Sequence, residues 1–260
     1  MDLETYSQKT WCPGCPNFGI LEAVKKAISE LIEEGIPKEN FVLTCGIGCH
    51  GKIVDYLNLN SFYGLHGRCL STAQGIKLAN PNLKVIAFVG DGDIYNEGIS
   101  HLIHGAKRNS DITVLVHDNR NFALTVSQFT ATSPKGFKGS STPKGSVEEP
   151  FNPLDLMLTS GATFLARGYA LKIDHLKDLI KKAILHKGFS FLEVLQPCLT
   201  FFDNRKFYQE RIYEIKGPFS KEEAREKISE WDYKNDSSKI PIGLFYQVEK
   251  PTFEELILQN

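Results

Sequence analysis

Two apolar runs of strand length in this chain each finish in side chains that carry oxygen. Lys84-Val-Ile-Ala-Phe-Val89 runs into Gly90-Asp91-Gly92-Asp93, and Ile112-Thr-Val-Leu-Val-His117 runs into Asp118-Asn119. A segment of helix length separates them, so the stretch reads as a βαβ unit whose strands are parallel and end at the same edge of a sheet. Such an edge suits a hard cation holding a diphosphate. Mg²⁺ takes oxygen ligands in near-octahedral geometry and shares them among carboxylates, carbonyls, water and phosphates. Asp91 offers a carboxylate, Asn119 an amide oxygen, and the loop after Asn119 a backbone carbonyl. Gly90 and Gly92 allow close approach of the backbone and positive φ. A tight Gly-Asp-Gly turn beside an ordinary Asp-Asn turn would look similar at either strand alone. The two strand ends together favour the cation site.

The rest of the chain continues the rhythm. Residues 18–34 carry Phe18, Leu21, Val24, Ile28, Leu31 and Ile32 at helical spacing, closed by Gly35 and Pro37. A short strand at 41–44 leads into Cys45-Gly-Ile-Gly-Cys49. Residues 71–79 read as a helix stopped by Asn80-Pro81, and 96–108 as another. A strand at 164–167, a helix at 174–186 and a strand at 189–195 repeat the unit. The expected fold class is α/β, a parallel sheet covered by helices on both faces. Residues 130–150 break the pattern with Thr, Ser, Pro, Gly and Lys, and read as a lid or partner-facing loop. Residues 218–239 read as a charged surface helix with an irregular tail.

Composition narrows the partners. With 260 residues, 42% apolar content and net charge −1, the chain can bury a core and has no basic patch for nucleic acid or an anionic membrane surface. No apolar run approaches a membrane span, and the stretch from Met1 lacks a signal-peptide pattern. A cytoplasmic protein is expected, and its six cysteines then point to metal or redox work rather than disulfides. Cys12 and Cys15 form a C-x-x-C in a Pro/Gly turn, able to grip one metal centre. Two further ligands must come from Cys45, Cys49, Cys69 and Cys198. Spacing alone leaves a [4Fe–4S] cluster and structural zinc equally open.

Trp11-Cys-Pro-Gly-Cys15, Gly46-Ile-Gly-Cys49, Leu65-His-Gly-Arg68, Gly75-Ile-Lys-Leu-Ala79, Gly90-Asp-Gly-Asp93, Arg108-Asn109, Asp118-Asn119 and Gln196-Pro-Cys198 follow one another in a fixed order. Together they resemble the β subunit of the 2-oxoacid:ferredoxin oxidoreductases, from about residue 8 to about residue 215. The resemblance continues weakly through 240–246. It implies a thiamine diphosphate- and iron–sulfur-binding domain over 1–200 and a C-terminal extension over 201–260, packed on that domain or on a partner subunit.

Matched position by position, the resemblance makes Cys12, Cys15, Cys49 and Cys198 the ligands of one [4Fe–4S] cluster, and leaves Cys45 and Cys69 as buried thiols. It makes Asp91, Asn119 and the carbonyl of Asn121 the Mg²⁺ ligands. Gly92, Asp93, Ala123 and Leu124 would line thiamine diphosphate, with Ile47, Gly48, Cys49 and His50 facing it from the cluster side. His66 would meet a phosphate oxygen and Lys52 the substrate carboxylate. A loop histidine bonded to backbone and a solvated lysine are the competing readings of those two. Phe122 lacks the hydroxyl that many members carry there, and Ala123 and Ser127 replace usual glycines. Glu97 reads as a first-turn helix acid rather than part of the cation site.

The implied reaction is coenzyme A-dependent oxidative decarboxylation of a 2-oxoacid, pyruvate or 2-oxoglutarate, with electrons passed through the cluster to ferredoxin. The glutamate that activates thiamine diphosphate belongs to a separate domain in such enzymes, so an α subunit is expected to supply it. Two other readings compete: a non-redox thiamine diphosphate lyase with structural zinc, and a non-catalytic electron-transfer subunit.

Overall fold

A computed structural model describes residues 3–235 and 237–259. Met1 and Asp2, at the start of the stretch read for a signal peptide, and Asp236, in the expected irregular tail, lie outside the described residues. In chain order the elements are α1 (Asn17–Glu33), β1 (Phe41–Cys45), β2 (Asn60–Tyr63), α2 (Cys69–Ala79), β3 (Lys84–Gly90), α3 (Ile99–Arg108), β4 (Thr113–Asp118), α4 (Pro153–Ser160), β5 (Phe164–Tyr169), α5 (Ile173–Leu185), β6 (Ser190–Leu195), α6 (Arg205–Arg211), β7 (Ile212–Glu214), α7 (Lys221–Ser229), β8 (Ile240–Gln247) and α8 (Phe253–Leu258).

The strands form one sheet in the order β2-β1-β3-β4-β6-β5-β8-β7. Every pairing from β2 to β5 is parallel. Residues of β4, β5 and β6 are buried on both faces. Helices therefore cover the sheet above and below, which is why these strands read as unbroken apolar runs. One core cluster gathers α1, α5 and one side of the strands, and a second gathers α2, α3, α4 and the other side. Local chemistry ends the helices as the sequence suggests: Gly35 takes φ +103, and the Ile36 amide donates back to the Leu31 carbonyl. No helix among the described residues is long and apolar enough to cross a membrane.

Four departures from the sequence reading have physical causes. First, the sheet is not wholly parallel: β8 runs antiparallel to β5, with a bulge between Leu165 and Ala166, and β7 pairs parallel to β8. Second, the expected helix at 96–108 starts as a wide π turn over Gly92–Glu97, with regular helix only from Ile99. Third, the tail of the 218–239 segment is not superficial. Trp231 and Tyr233 are fully buried and pack with Tyr169, Leu195 and Tyr208 in a third cluster. Isolated aromatics among charges give no periodic signal, so the pattern does not reveal this burial. Fourth, the loop at 130–150 begins inside the molecule, with Thr130, Thr132 and Ser133 all buried.

Candidate active site

β3 and β4 pair in register up to Gly90 opposite His117, so Asp91 and Asn119 emerge side by side at the carboxyl edge of the sheet. Both line a cleft with Asn121, Gly92, Asp93, Ala123, Leu124, Ile47, Gly48, Cys49, His50 and His66. Asp91 is buried, and burial pushes its carboxyl up to about 6 despite hydrogen bonds that favour the charge. Its Oδ2 accepts from the Thr130 hydroxyl at 2.6 Å. The Asn119 amide oxygen accepts from the Asn121 backbone N–H at 3.1 Å, and the Asn121 side-chain amide donates to the Asn119 carbonyl at 2.9 Å. Asn121 Oδ1 is buried without a partner. Gly92 is required where it stands, because a Cβ there would lie 2.2 Å from the Phe122 ring.

Asp93 lines the same cleft but is committed to the protein. Its Oδ1 accepts from the Gly67 N–H at 2.8 Å and the Ile47 N–H at 3.2 Å, drawing two loops together. His66 Nδ1 lies 3.4 Å from Oδ1, and His50 Nε2 lies 3.5 Å from Oδ2. Burial works against ionisation of Asp93, yet the His50 contact and the surrounding donors hold its carboxyl below the usual range. Glu97 is exposed, and the Arg68 guanidinium donates to its backbone carbonyl at 2.7 Å.

A second cavity opens beside the first and shares Cys49, Asn119, Ala123, Leu124 and Gln196 with it. Cys12, Cys15, Cys49 and Cys198 all line it. Pro/Gly turn geometry brings the Cys15 N–H to the Cys12 carbonyl at 3.0 Å. Trp11, held between the rings of Phe18 and Tyr56, donates its indole N–H to the Cys49 carbonyl at 2.7 Å. Burial, then the neighbouring cysteines, push the Cys15 thiol up to about 11. Lys52 lines this cavity rather than the cleft, and its Nζ donates to the Thr10 carbonyl at 3.2 Å. Cys45 and Cys69 are fully buried and line neither cavity. Among the described residues, no three His, Cys, Asp or Glu side chains converge closely enough to hold a single metal ion.

Residues 46–194 match the thiamine pyrophosphate enzyme, C-terminal TPP binding domain, and residues 198–259 match the C-terminal family of the pyruvate ferredoxin oxidoreductase beta subunit. The 2-oxoacid:ferredoxin oxidoreductase subunit beta of Saccharolobus solfataricus is 43% identical over 96% of this chain and 86% of its own length. The chain belongs to the β subunits of the 2-oxoacid:ferredoxin oxidoreductases. The 2-oxoglutarate synthase subunit KorB of Methanothermobacter marburgensis is 35% identical over 93% of this chain and 84% of its own. Among solved structures, the 2-oxoglutarate:ferredoxin oxidoreductase from Magnetococcus marinus, with 2-oxoglutarate, coenzyme A and succinyl-CoA bound, superposes with a TM-score of 0.92. It is 33% identical, and the match covers 99% of this chain and 87% of the other.

As a β subunit of this family, the chain is part of a multi-subunit oxidoreductase with a thiamine diphosphate-binding domain. Its site contains groups that sequence reasoning left without a role. Thr130 and Thr132 bond the Asp91 carboxylate from inside the stretch read as a lid or partner-facing loop, where no pattern marked them. His117 lines the cleft, buried, with Nδ1 2.8 Å from Asn17 Oδ1; it stands in an apolar run that reads as strand. Gln196 belongs to one of the ordered motifs, and its amide lies 3.8 Å from Cys15 Sγ.

Proposed function

We propose that this chain holds both redox centres of a coenzyme A-dependent 2-oxoacid oxidation: thiamine diphosphate on Mg²⁺ in the cleft, and one [4Fe–4S] cluster in the cysteine cavity. The observation that carries the reading is the wall common to the two cavities, built from Cys49, Asn119, Ala123, Leu124 and Gln196. With the cofactor on one side of that wall and the cluster on the other, electrons would pass between them through it.

The donor sets fit both groups. Asp91 carboxylate, Asn119 amide oxygen and the Asn121 carbonyl are hard oxygen donors of the kind Mg²⁺ takes together with phosphates. The unpartnered, buried Asn121 Oδ1 means that this loop is not satisfied by protein alone. Four thiols on one cavity suit an iron–sulfur cluster; the zinc of a non-redox lyase is the competing occupant that the metal analysis below decides. Bound there, thiamine diphosphate supplies the carbanion chemistry of decarboxylation and the cluster accepts the electrons. The chain's own residues position and enclose. Gly92 leaves room for the Phe122 ring in the cleft wall. Asp93 ties the 46–50 and 66–67 loops over the site. His66, with Nδ1 toward Asp93, has Nε2 free for a phosphate oxygen. Lys52, half-buried at the cysteine cavity, is a cation for the substrate carboxylate.

Ile47, Leu65 and Leu124 are exposed beside the cleft, and an α subunit that supplies the activating glutamate would cover them. Ferredoxin takes the electrons, and coenzyme A the acyl group of pyruvate or 2-oxoglutarate. The test is metal analysis of the complex, purified anaerobically with its α subunit. About four irons per chain and a brown chromophore are expected; a colourless complex with one zinc per chain would replace this reading with the lyase.

A further inference from the structure

Between the two asparagines of the cleft stands Arg120, with φ +59. The left-handed region is uncommon for any residue but glycine, asparagine and aspartate. Here it doubles the chain back, so that Asn119 and Asn121 bond each other and both line the cleft. The conformation persists because Arg120 is held at both its backbone and its side chain. Its N–H donates to Asp118 Oδ1 at 3.0 Å, and its carbonyl accepts from the Ser133 hydroxyl at 2.5 Å. Its side chain is buried. Nε donates to the Thr132 carbonyl at 2.7 Å and Nη2 to the Tyr233 carbonyl at 3.2 Å. The guanidinium lies 5.7 Å from the Trp231 ring centre and 5.4 Å from that of Tyr233, and those two rings stack on each other.

The same C-terminal segment reaches the cation ligands by a second route. The Tyr233 hydroxyl donates to Asp118 Oδ2 at 3.3 Å. Thr132 Oγ1 bonds Asp118 Oδ1 at 2.9 Å and lies 3.3 Å from Asp91 Oδ2. Residues 231–233 thus line neither cleft nor cavity, yet both routes from them end on groups assigned to Mg²⁺.

We propose that Arg120 and Tyr233 are positioning residues that set the direction of the cation's oxygen ligands, so that the C-terminal segment controls how tightly Mg²⁺ and thiamine diphosphate bind. This rests on the cofactor reading above. Backbone strain at a cofactor loop persists only where its surroundings over-determine it; here Asp118, Thr132 and Ser133 supply part of that hold, and Tyr233 and the Trp231 and Tyr233 rings, beyond the matched cofactor domain that ends at 194, supply the rest.

The test uses the complex with the α subunit, stripped of divalent cation by a chelator and of thiamine diphosphate by gel filtration. Mn²⁺ binding is then titrated by electron paramagnetic resonance with thiamine diphosphate present. Arg120→Lys keeps the charge but loses the fork and the stacking plane. It should raise the half-saturating Mn²⁺ concentration about tenfold, the scale of one lost buried hydrogen bond. Tyr233→Phe keeps the stacked ring and removes one donor from Asp118 Oδ2, and should raise it by a smaller factor. Iron content should not change in either. Wild-type half-saturation in Tyr233→Phe or in a folded Arg120→Lys overturns the inference, and so does a lowered melting temperature with unchanged Mn²⁺ binding, the mark of a merely structural role. A wild-type complex that takes up no Mn²⁺ would instead remove the cofactor reading, and the inference with it.

Discussion

At the scale of single residues, the cysteines divide by their surroundings. Cys12, Cys15, Cys49 and Cys198 face one cavity, whereas Cys45 and Cys69 are sealed in packed interior. Cys45 lines neither cavity, and burial raises its thiol to about 12. Cys198→Ser should therefore strip or weaken the visible chromophore of the anaerobically purified complex, while Cys45→Ser leaves it intact. An unchanged spectrum in Cys198→Ser would move the cluster to other ligands. The cysteine set was legible in the sequence only through ordered motifs, since spacing alone left cluster and zinc open. Thr130, Thr132, Arg120 and Tyr233 were not legible. Their roles depend on contacts across long stretches of chain, and no local pattern marks a hydroxyl that will meet a buried carboxylate.

Among the elements, β5 and β6 carry Arg167 and Glu193 in register, both fully buried and joined at 2.7 Å. Arg167 also lies over the rings of Trp231, Tyr233 and Phe245. A buried pair stabilises little compared with apolar packing, but breaking it leaves one charge stranded. Glu193→Gln should lower stability by about 3–5 kcal/mol in urea unfolding, and Arg167→Met with Glu193→Leu should lower it by much less. A small effect of Glu193→Gln alone would contradict this account of the pair. At the other end of β5, Thr163 donates to Asn109 Oδ1 at 2.7 Å and lies 2.8 Å from His186 Nε2, tying α3, α5 and β5 together. Burial holds His186 below the ordinary histidine value, with Asp111 and Glu249 opposing. The imidazole is thus neutral in the fold and gains a proton more readily when unfolded. Its contribution is complete above about pH 6.5 and fades as pH falls. The stability gap between wild type and His186→Gln, measured by thermal melts, should narrow from pH 7.5 to pH 5.5; a gap that widens would reverse the assignment. Strands buried on both faces were readable as apolar runs, whereas the π turn after Asp91 and the antiparallel β8 were not. The first is a local rearrangement around Gly92, and the second depends on a partner strand far away in the chain.

For the molecule as a whole, the sheet brings the cofactor cleft and the cysteine cavity to one edge, and the exposed Ile47, Leu65 and Leu124 sit beside the cleft. If this chain holds both redox centres as proposed, completion of the active site falls to its α partner. The direct test is viologen reduction by the anaerobically purified complex across a panel of 2-oxoacids, with thiamine diphosphate and coenzyme A each added or withheld. Rapid reduction is expected with one or a few 2-oxoacids, lost when either is withheld. A complex shown to hold both iron and thiamine diphosphate that releases carbon dioxide from a 2-oxoacid without reducing the dye would contradict it.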